Sequence, residues 1–186
     1  MTAHRPPGVA GILAACLAGL VLAWPRPVTG QDTYALPLEL RLDDLMLRKS
    51  LFARRKGDTV YLPLRAMAEA LDFVIEIQPG NAYAKGWFLD RDRTVSFDAQ
   101  AGEIVSEGER LSVGQDAFLT DQLQSRQELY VARSALERAW PVELDVSMTT
   151  LRLQVSADNK LPIQRRRERE KRRERLLSRE ERELDL

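Results

Sequence analysis

The stretch VYLPLRAMAEALDF, residues 60–73, decides the fold. Its β-branched and aromatic start predicts a strand that ends at Pro63, a residue that suits the first turn of a helix. Beyond it, apolar residues recur at helical spacing, as in Ala66 and Ala70. Across residues 73–77 apolar residues return to alternate positions, the period of a strand. The stretch therefore predicts the order strand, short helix, strand.

The same order occurs a second time along the chain. Residues 61–77 match residues 130–146 in residue class at a constant spacing of 69, without a gap, although few residues are identical. An alternating strand at residues 151–155 completes the second copy. Such self-similarity indicates two copies of one supersecondary unit that share a core. The alternative is a chance similarity between two amphipathic stretches.

The segments around these two copies have the pattern of short strands separated by turn residues. Strands are predicted at residues 38–42, 45–52, 59–62, 83–88, 94–98, 103–113 and 151–155, the 103–113 segment folding back at residues 107–109. The predicted fold is therefore α+β, with short antiparallel strands and two short helices in two copies of a β-β-α-β unit. This domain spans residues 31–160.

Residues 60–73 resemble the signature of the copper amine oxidase N-terminal-like domain, whose core reads VPLR-iaEaLG and which occurs widely in bacterial envelope proteins. Residues 40–44, LRLDD, resemble the hairpin of that family, and Asp72 stands where the family has a glycine. The resemblance covers about residues 36–155 and implies a compact α+β module that serves as a stalk or binding unit. It implies no copper, because a copper site would require imidazoles and this block has none.

A second resemblance is to the N-terminal leader domain of usher-like outer-membrane proteins. It rests on LPLEL at residues 36–40 and LPIQR at residues 161–165. It implies a domain that binds partner protein subunits. Since no barrel sequence follows, the chain would be a free-standing relative or a truncated copy of such a protein.

The N-terminal segment predicts export. An uncharged run, Gly8–Trp24, follows Arg5 and leads to small residues near Gly30, which indicates a signal peptide over residues 1–30. The alternative is an uncleaved anchor, with membrane contact only through residues 8–24; both place the rest in the periplasm or cell envelope. The LAAC stretch ending at Cys16 resembles a lipoprotein signal, but the apolar residues after Cys16 make lipidation the less favoured interpretation.

Composition excludes several chemistries from the exported part. The only histidine, His4, and the only cysteine, Cys16, fall in the predicted signal, so Ser–His–Asp, Cys–His and His-based metal chemistry are excluded. We therefore expect no catalysis, no metal and no cofactor. Residues 32–160 carry 16 basic and 21 acidic side chains, a net charge of −5, which argues against nucleic acid as a partner.

Aromatic residues are the candidates for ligand contact, namely Tyr83, Trp87 and Phe88. At strand spacing Trp87 and Phe88 point to opposite sides of the sheet, so one of them can be exposed. A ligand face of this kind would bind envelope proteins or cell-wall polysaccharide. The alternative is that these side chains, like Phe97, pack in the core.

Carboxylates provide the remaining route to catalysis. Asp90 and Asp92 could be a paired acid and base of a glycoside hydrolase, or part of a calcium loop, but the other ligands of an EF-hand are missing. Arginines adjoin both residues, which favours a solvated turn. We interpret Asp43–Asp44 and Glu107–Glu109 as turns in the same way.

The C-terminal tail, residues 161–186, carries 10 basic and 7 acidic side chains. Without an apolar stripe it is predicted to be a solvated helix or a disordered segment. The alternative is a contact of residues 165–175 with anionic lipid or polysaccharide.

The sequence thus predicts an exported, non-catalytic binding or structural module of the bacterial cell envelope. The alternatives are a truncated usher-like leader that binds partner subunits and a carboxylate-dependent cell-wall glycoside hydrolase.

Overall fold

Strands make up 48% of the structure and helices 26%. The computed structural model describes residues 33–80, 82–121 and 128–184, all of them within one compact unit, Gln31–Leu186. The predicted signal peptide, with His4 and Cys16, lies outside the described residues. Within these ranges no helix combines the length and the apolar character that crossing a membrane requires.

The described elements alternate between hairpins and short helices. In chain order they are β1 (Thr33–Leu42), β2 (Leu45–Lys56), β3 (Thr59–Pro63), α1 (Leu64–Leu71), β4 (Val74–Ile77), β5 (Tyr83–Trp87), β6 (Thr94–Asp98), β7 (Glu103–Ser106), β8 (Glu109–Ser112), a 3-10 turn (Gln115–Ala117), β9 (Phe118–Asp121), β10 (Glu128–Ala132), α2 (Arg133–Ala139), β11 (Glu143–Ser147), β12 (Arg152–Ser156) and α3 (Pro162–Leu184).

Two sheets contain these strands. The seven-stranded sheet has the order β11-β12-β1-β2-β3-β10-β9, and the five-stranded sheet is the meander β4-β5-β6-β7-β8. Neighbouring strands are antiparallel, except that β1 and β12 run parallel. On β1 the apolar residues at positions 38, 40 and 42 are buried while the residues between them are partly exposed, so the alternation in the sequence marks the core face.

The two similar stretches of the chain meet in the middle of the seven-stranded sheet. β3 and β10 pair antiparallel, and Leu62 lies directly opposite Val131. These two residues are separated by the same 69 positions that relate the two stretches, so a local two-fold axis passes between them. After their helices the stretches diverge, because β4 joins the five-stranded sheet whereas β11 joins the seven-stranded sheet.

The predicted α+β class with two short helices is wrong, because the fold is β-rich with two sheets and three α-helices in the described ranges. One reason is that strands continue through polar residues. β2 runs for 12 residues and includes the exposed pair Lys49–Ser50 and several charged side chains, which hide the strand period in the sequence. The other reason is that α3 alone is 23 residues long.

The tail helix is anchored at its first turn. Leu161, just before α3, and Ile163 are buried in the core. Arg166 Nη1 donates to Asp72 Oδ1 at 2.7 Å, which ties α3 to the end of α1. Residues 168–179 are all exposed. The tail is therefore a helix with a packed start and a solvated continuation.

Candidate functional site

A groove of about 430 Å³ crosses the solvent face of the five-stranded sheet. Side chains that alternate along β4, β5 and β6 line it, because successive residues of a strand point to opposite faces. Strand register arranges them in two cross-strand rows: the first row is Val74, Trp87 and Thr94, and the second row is Glu76, Lys85 and Ser96.

The first row is apolar. Val74 is 46% exposed although it is a large aliphatic side chain, and Trp87 beside it is half-buried. A tryptophan in this position offers an apolar ring surface together with a polar N–H. Thr94 is the cross-strand partner of Trp87 on β6. This row can therefore make an apolar contact with a ligand.

The second row is polar. Glu76 and Lys85 are direct cross-strand partners, and opposite charges in that position stabilise a sheet by about 0.2–1 kcal/mol. Ser96 is the partner of Lys85 on the next strand. The row supplies a carboxylate, an ammonium group and a hydroxyl beside the apolar row. Binding pockets commonly combine apolar lining with a few polar groups of this kind.

Backbone packing at Gly86 holds β4 and β5 close together beneath the groove. A Cβ atom at this position would collide with the carbonyl oxygen of Val74. Only glycine therefore permits this approach of the two strands. The spacing of Val74 and Trp87 in the first row depends on it.

Of the three predicted aromatic residues, Trp87 alone lines the groove. Tyr83 is half-buried at the other end of β5, opposite Asp98. Phe88 is 1% exposed and packs against Phe73 with ring centroids 6.1 Å apart, so it belongs to the core and offers no surface to a ligand.

The carboxylates that the sequence singled out lie in turns. Asp90 Oδ1 accepts the backbone N–H of Asp92 at 3.2 Å within the β5–β6 connection. Arg93 Nε lies 3.8 Å from Asp90 Oδ2 and 3.6 Å from Glu107 Oε1. Asp43 has a φ of 50° and occupies the β1–β2 turn. Ion pairs and turn geometry account for the positions of these carboxylates, and neither requires a catalytic role.

A second groove, of about 330 Å³, brings together four carboxylates that sequence reasoning did not connect: Asp43, Glu137, Glu143 and Asp158. Glu137 Oε1 accepts the backbone N–H of Leu144 at 2.9 Å and lies 3.3 Å from Arg133 Nη1, so this carboxylate fixes the position of β11 relative to α2. The four residues come from segments far apart in sequence, which leaves no local motif to detect. We refer to this feature as the acidic groove.

Trp140 also lines the acidic groove, and its side chain is almost fully buried. Among the described residues its indole N–H has no hydrogen-bond partner. Buried polar groups are normally paired, so this donor carries a desolvation cost.

Burial raises the pKa of Glu128, the first residue of β10. Its Oε1 accepts the backbone N–H of Arg65 at 2.9 Å and that of Leu129 at 3.2 Å, and these bonds oppose the effect of burial. Arg65 lies in the first turn of α1, and the N-cap residue of that helix, Pro63, provides no side-chain cap. Glu128 therefore caps this helix from a neighbouring strand.

Across the described ranges, no three His, Cys, Asp or Glu residues form a group that could hold a metal ion. Compared with known proteins, the chain matches no protein-family profile, no curated protein and no solved structure. The resemblances to copper amine oxidase N-terminal-like domains and to usher leader domains therefore stay predictions.

Proposed function

We propose that the chain is an exported, non-catalytic binding module of a bacterial cell envelope, and that its ligand is a cell-wall polysaccharide held on the solvent face of the five-stranded sheet. The observation that carries the proposal is the groove in which partly exposed Trp87 lies beside a polar row. The uncharged run at residues 8–24 supports export.

The chemistry of the two rows fits a sugar chain. A pyranose ring presents apolar C–H groups on its face and hydroxyls around its rim. The ring of Trp87 with Val74 can cover the apolar face, while Glu76 and Lys85 can accept from and donate to the hydroxyls.

Co-sedimentation of the full chain with purified insoluble cell-wall polysaccharide tests the proposal. We expect Trp87→Ala to weaken binding about 10-fold or more, because buried aromatic anchors dominate binding energy. The matched control is Phe52→Ala on β2, an aromatic side chain that is 62% exposed and lies outside the five-stranded sheet. Equal binding by Trp87→Ala and the unchanged chain, or equal loss in the control, would reject this ligand face.

A second candidate function is glycoside hydrolysis, which the acidic groove favours. Two carboxylates about 5–10 Å apart are the usual machinery of such enzymes. Release of reducing ends from the same polysaccharide, lost in Asp158→Asn and in Glu143→Gln, would support hydrolysis and overturn the non-catalytic part of the proposal. Binding without release supports the binding module.

A further inference from the structure

Positive charge is concentrated on α3. Residues 162–175 carry eight basic and three acidic side chains, a net charge of +5, whereas residues 32–160 have a net charge of −5. Contacts near the start of the helix use part of this charge, because Arg166 pairs with Asp72 and Lys160 pairs with Glu168. Residues 168–179 are exposed, so the remaining basic side chains are accessible to a partner.

Four exposed arginines lie along one side of α3. An α-helix turns by about 100° per residue, so positions 165, 169, 172 and 173 fall within about 100° of its circumference. Together with Glu168 and Leu176 they line a shallow groove of about 410 Å³. Glu170 and Glu174 fall on the other side of the helix. We call the four residues the arginine stripe: Arg165, Arg169, Arg172 and Arg173.

The positive charges of the arginine stripe repel one another. Arg165, Arg169 and Arg173 follow at intervals of four residues, where like charges destabilise a helix by about 0.2–0.5 kcal/mol per pair. None of these three forms an ion pair with another residue that the structure describes. Glu168 is already paired with Lys160 at 2.6 Å, which lowers the pKa of its carboxyl more than Arg172 does. An anionic ligand would relieve this repulsion.

We propose that the arginine stripe binds a linear polymer of phosphate groups. The guanidinium group is a planar fork of donors that pairs with phosphate in a bidentate manner. The four arginines span about 12 Å of helix, which is one positive charge per about 4 Å. A single nucleic-acid strand, as an example of a phosphate-linked chain, carries one negative charge per about 3.4 Å. A polysaccharide with at most one carboxylate per sugar ring is less densely charged, so a phosphate polymer is the better match.

The same helix is poorly suited to a membrane surface. Helices that lie on membranes bury an apolar face beside their basic residues. Beyond Ile163, the described side chains of α3 include only two apolar ones, Leu176 and Leu177. An extended layer of anionic lipid would also repel the acidic body, whereas a linear polymer can contact the arginine stripe alone.

Fluorescence anisotropy of labelled long-chain polyphosphate, titrated with the full chain, tests the proposal. With four phosphate contacts we expect the logarithm of the association constant to fall with the logarithm of salt concentration at a slope of about −3. The triple variant Arg165→Gln, Arg169→Gln, Arg173→Gln should reduce the slope to about −1 and weaken binding at least about 10-fold at about 0.15 M salt. Its helix content by circular dichroism should not fall, since the substitutions remove like charges.

The matched control removes three positive charges from the other side of the same helix: Arg167→Gln, Lys171→Gln, Arg175→Gln. It should keep a slope near −3 and an affinity within about 3-fold of the unchanged chain, because at about 0.15 M salt the Debye length is about 8 Å. Equal loss in the two triple variants would overturn the proposal, and so would an unchanged chain that does not bind polyphosphate at low salt. Binding to vesicles of anionic lipid without binding to polyphosphate would also overturn it and assign the stripe to a membrane surface.

Discussion

At the scale of single residues, the carbonyl oxygen of Val74 occupies the space that a side chain at position 86 would need. Gly86→Ala must therefore separate β4 from β5, and overpacking of this kind costs about 3 kcal/mol. Urea denaturation should show that loss. The control is Gly80→Ala, where a Cβ atom meets nothing within 4 Å and only the positive φ of 92° opposes the substitution, at about 1–2 kcal/mol. A Gly86→Ala chain as stable as the control would contradict the close strand approach.

Glu128 predicts how the stability of the folded state depends on pH. Burial raises the pKa of its carboxyl above the ordinary value of 4.5, so the folded state binds the proton more tightly than the unfolded state. The stability from this protonation is fully present below the unfolded pKa and is lost as the pH rises through the folded pKa. Glu128→Gln keeps an oxygen acceptor without the charge, so it should be more stable than the unchanged chain at neutral pH but not at acidic pH.

Thermal unfolding between about pH 4 and pH 7 measures the difference in stability between Glu128→Gln and the unchanged chain. Glu128→Ala is the control. Loss of the acceptor leaves the backbone N–H groups of Arg65 and Leu129 without this partner, which costs about 1–3 kcal/mol at every pH. If glutamine and alanine had the same effect at neutral pH, the carboxyl would not be capping α1.

Asp72 ends α1 in the left-handed conformation although it is not a glycine. Its φ of 65° and ψ of 33° are left-handed values, which glycine adopts more readily than other residues. Phe73 N–H donates to Ala68 O at 2.8 Å, so the end of α1 closes normally. Non-glycine residues in this conformation are strained by about 1–2 kcal/mol. The ion pair with Arg166 offsets part of that strain and connects the position to α3.

At the scale of elements, the anchored start of α3 should matter for stability, and the helix beyond it, where residues 168–179 are exposed, should not. Leu161 is fully buried, so Leu161→Ala should cost about 3 kcal/mol in free energy of unfolding. Deleting residues 169–186 should change that free energy by less than about 0.5 kcal/mol, because surface residues contribute little. Urea denaturation of both variants checks this. A large loss on deletion would mean that the distal helix packs on its own body.

Elements defined by local pattern could be predicted, whereas their partners could not. The apolar spacing within residues 60–73 and 130–140 is local, and helices α1 and α2 lie there. β4 and β11 have similar patterns, but they join different sheets because their hairpin partners differ. Pairing of this kind depends on segments that are distant in sequence.

The two grooves show the same contrast between local patterns, which could be predicted, and contacts between distant segments, which could not. Alternation along β5 predicted that Trp87 and Phe88 would face opposite sides of the sheet, and in the structure Phe88 is buried while Trp87 lines the groove. The acidic groove combines residues from positions 43 to 158, so only the tertiary fold brings its carboxylates together.

At the scale of the whole molecule, Trp140 connects the two sheets. It follows α2, the helix between two strands of the seven-stranded sheet. Its ring lies edge-on to Phe73 at 5.1 Å and to Phe97 of β6 at 6.1 Å between centroids. Ser106 Oγ of β7 donates to Ala139 O at 2.7 Å beside it. The five-stranded sheet therefore packs on the larger sheet through one shared aromatic cluster.

Because both sheets share this cluster, we expect them to unfold together. Trp140→Ala should cost about 3–5 kcal/mol, the usual effect of removing a buried aromatic side chain. Native-state hydrogen exchange should show that the amides of β6 and of β10 lose protection by the same free energy, as parts of one cooperative unit do. Trp87→Ala removes the same side chain type from a half-buried position and should cost much less. If only the five-stranded sheet lost protection, the two sheets would be separate cooperative units. The five-stranded sheet would then open while the seven-stranded sheet stayed folded.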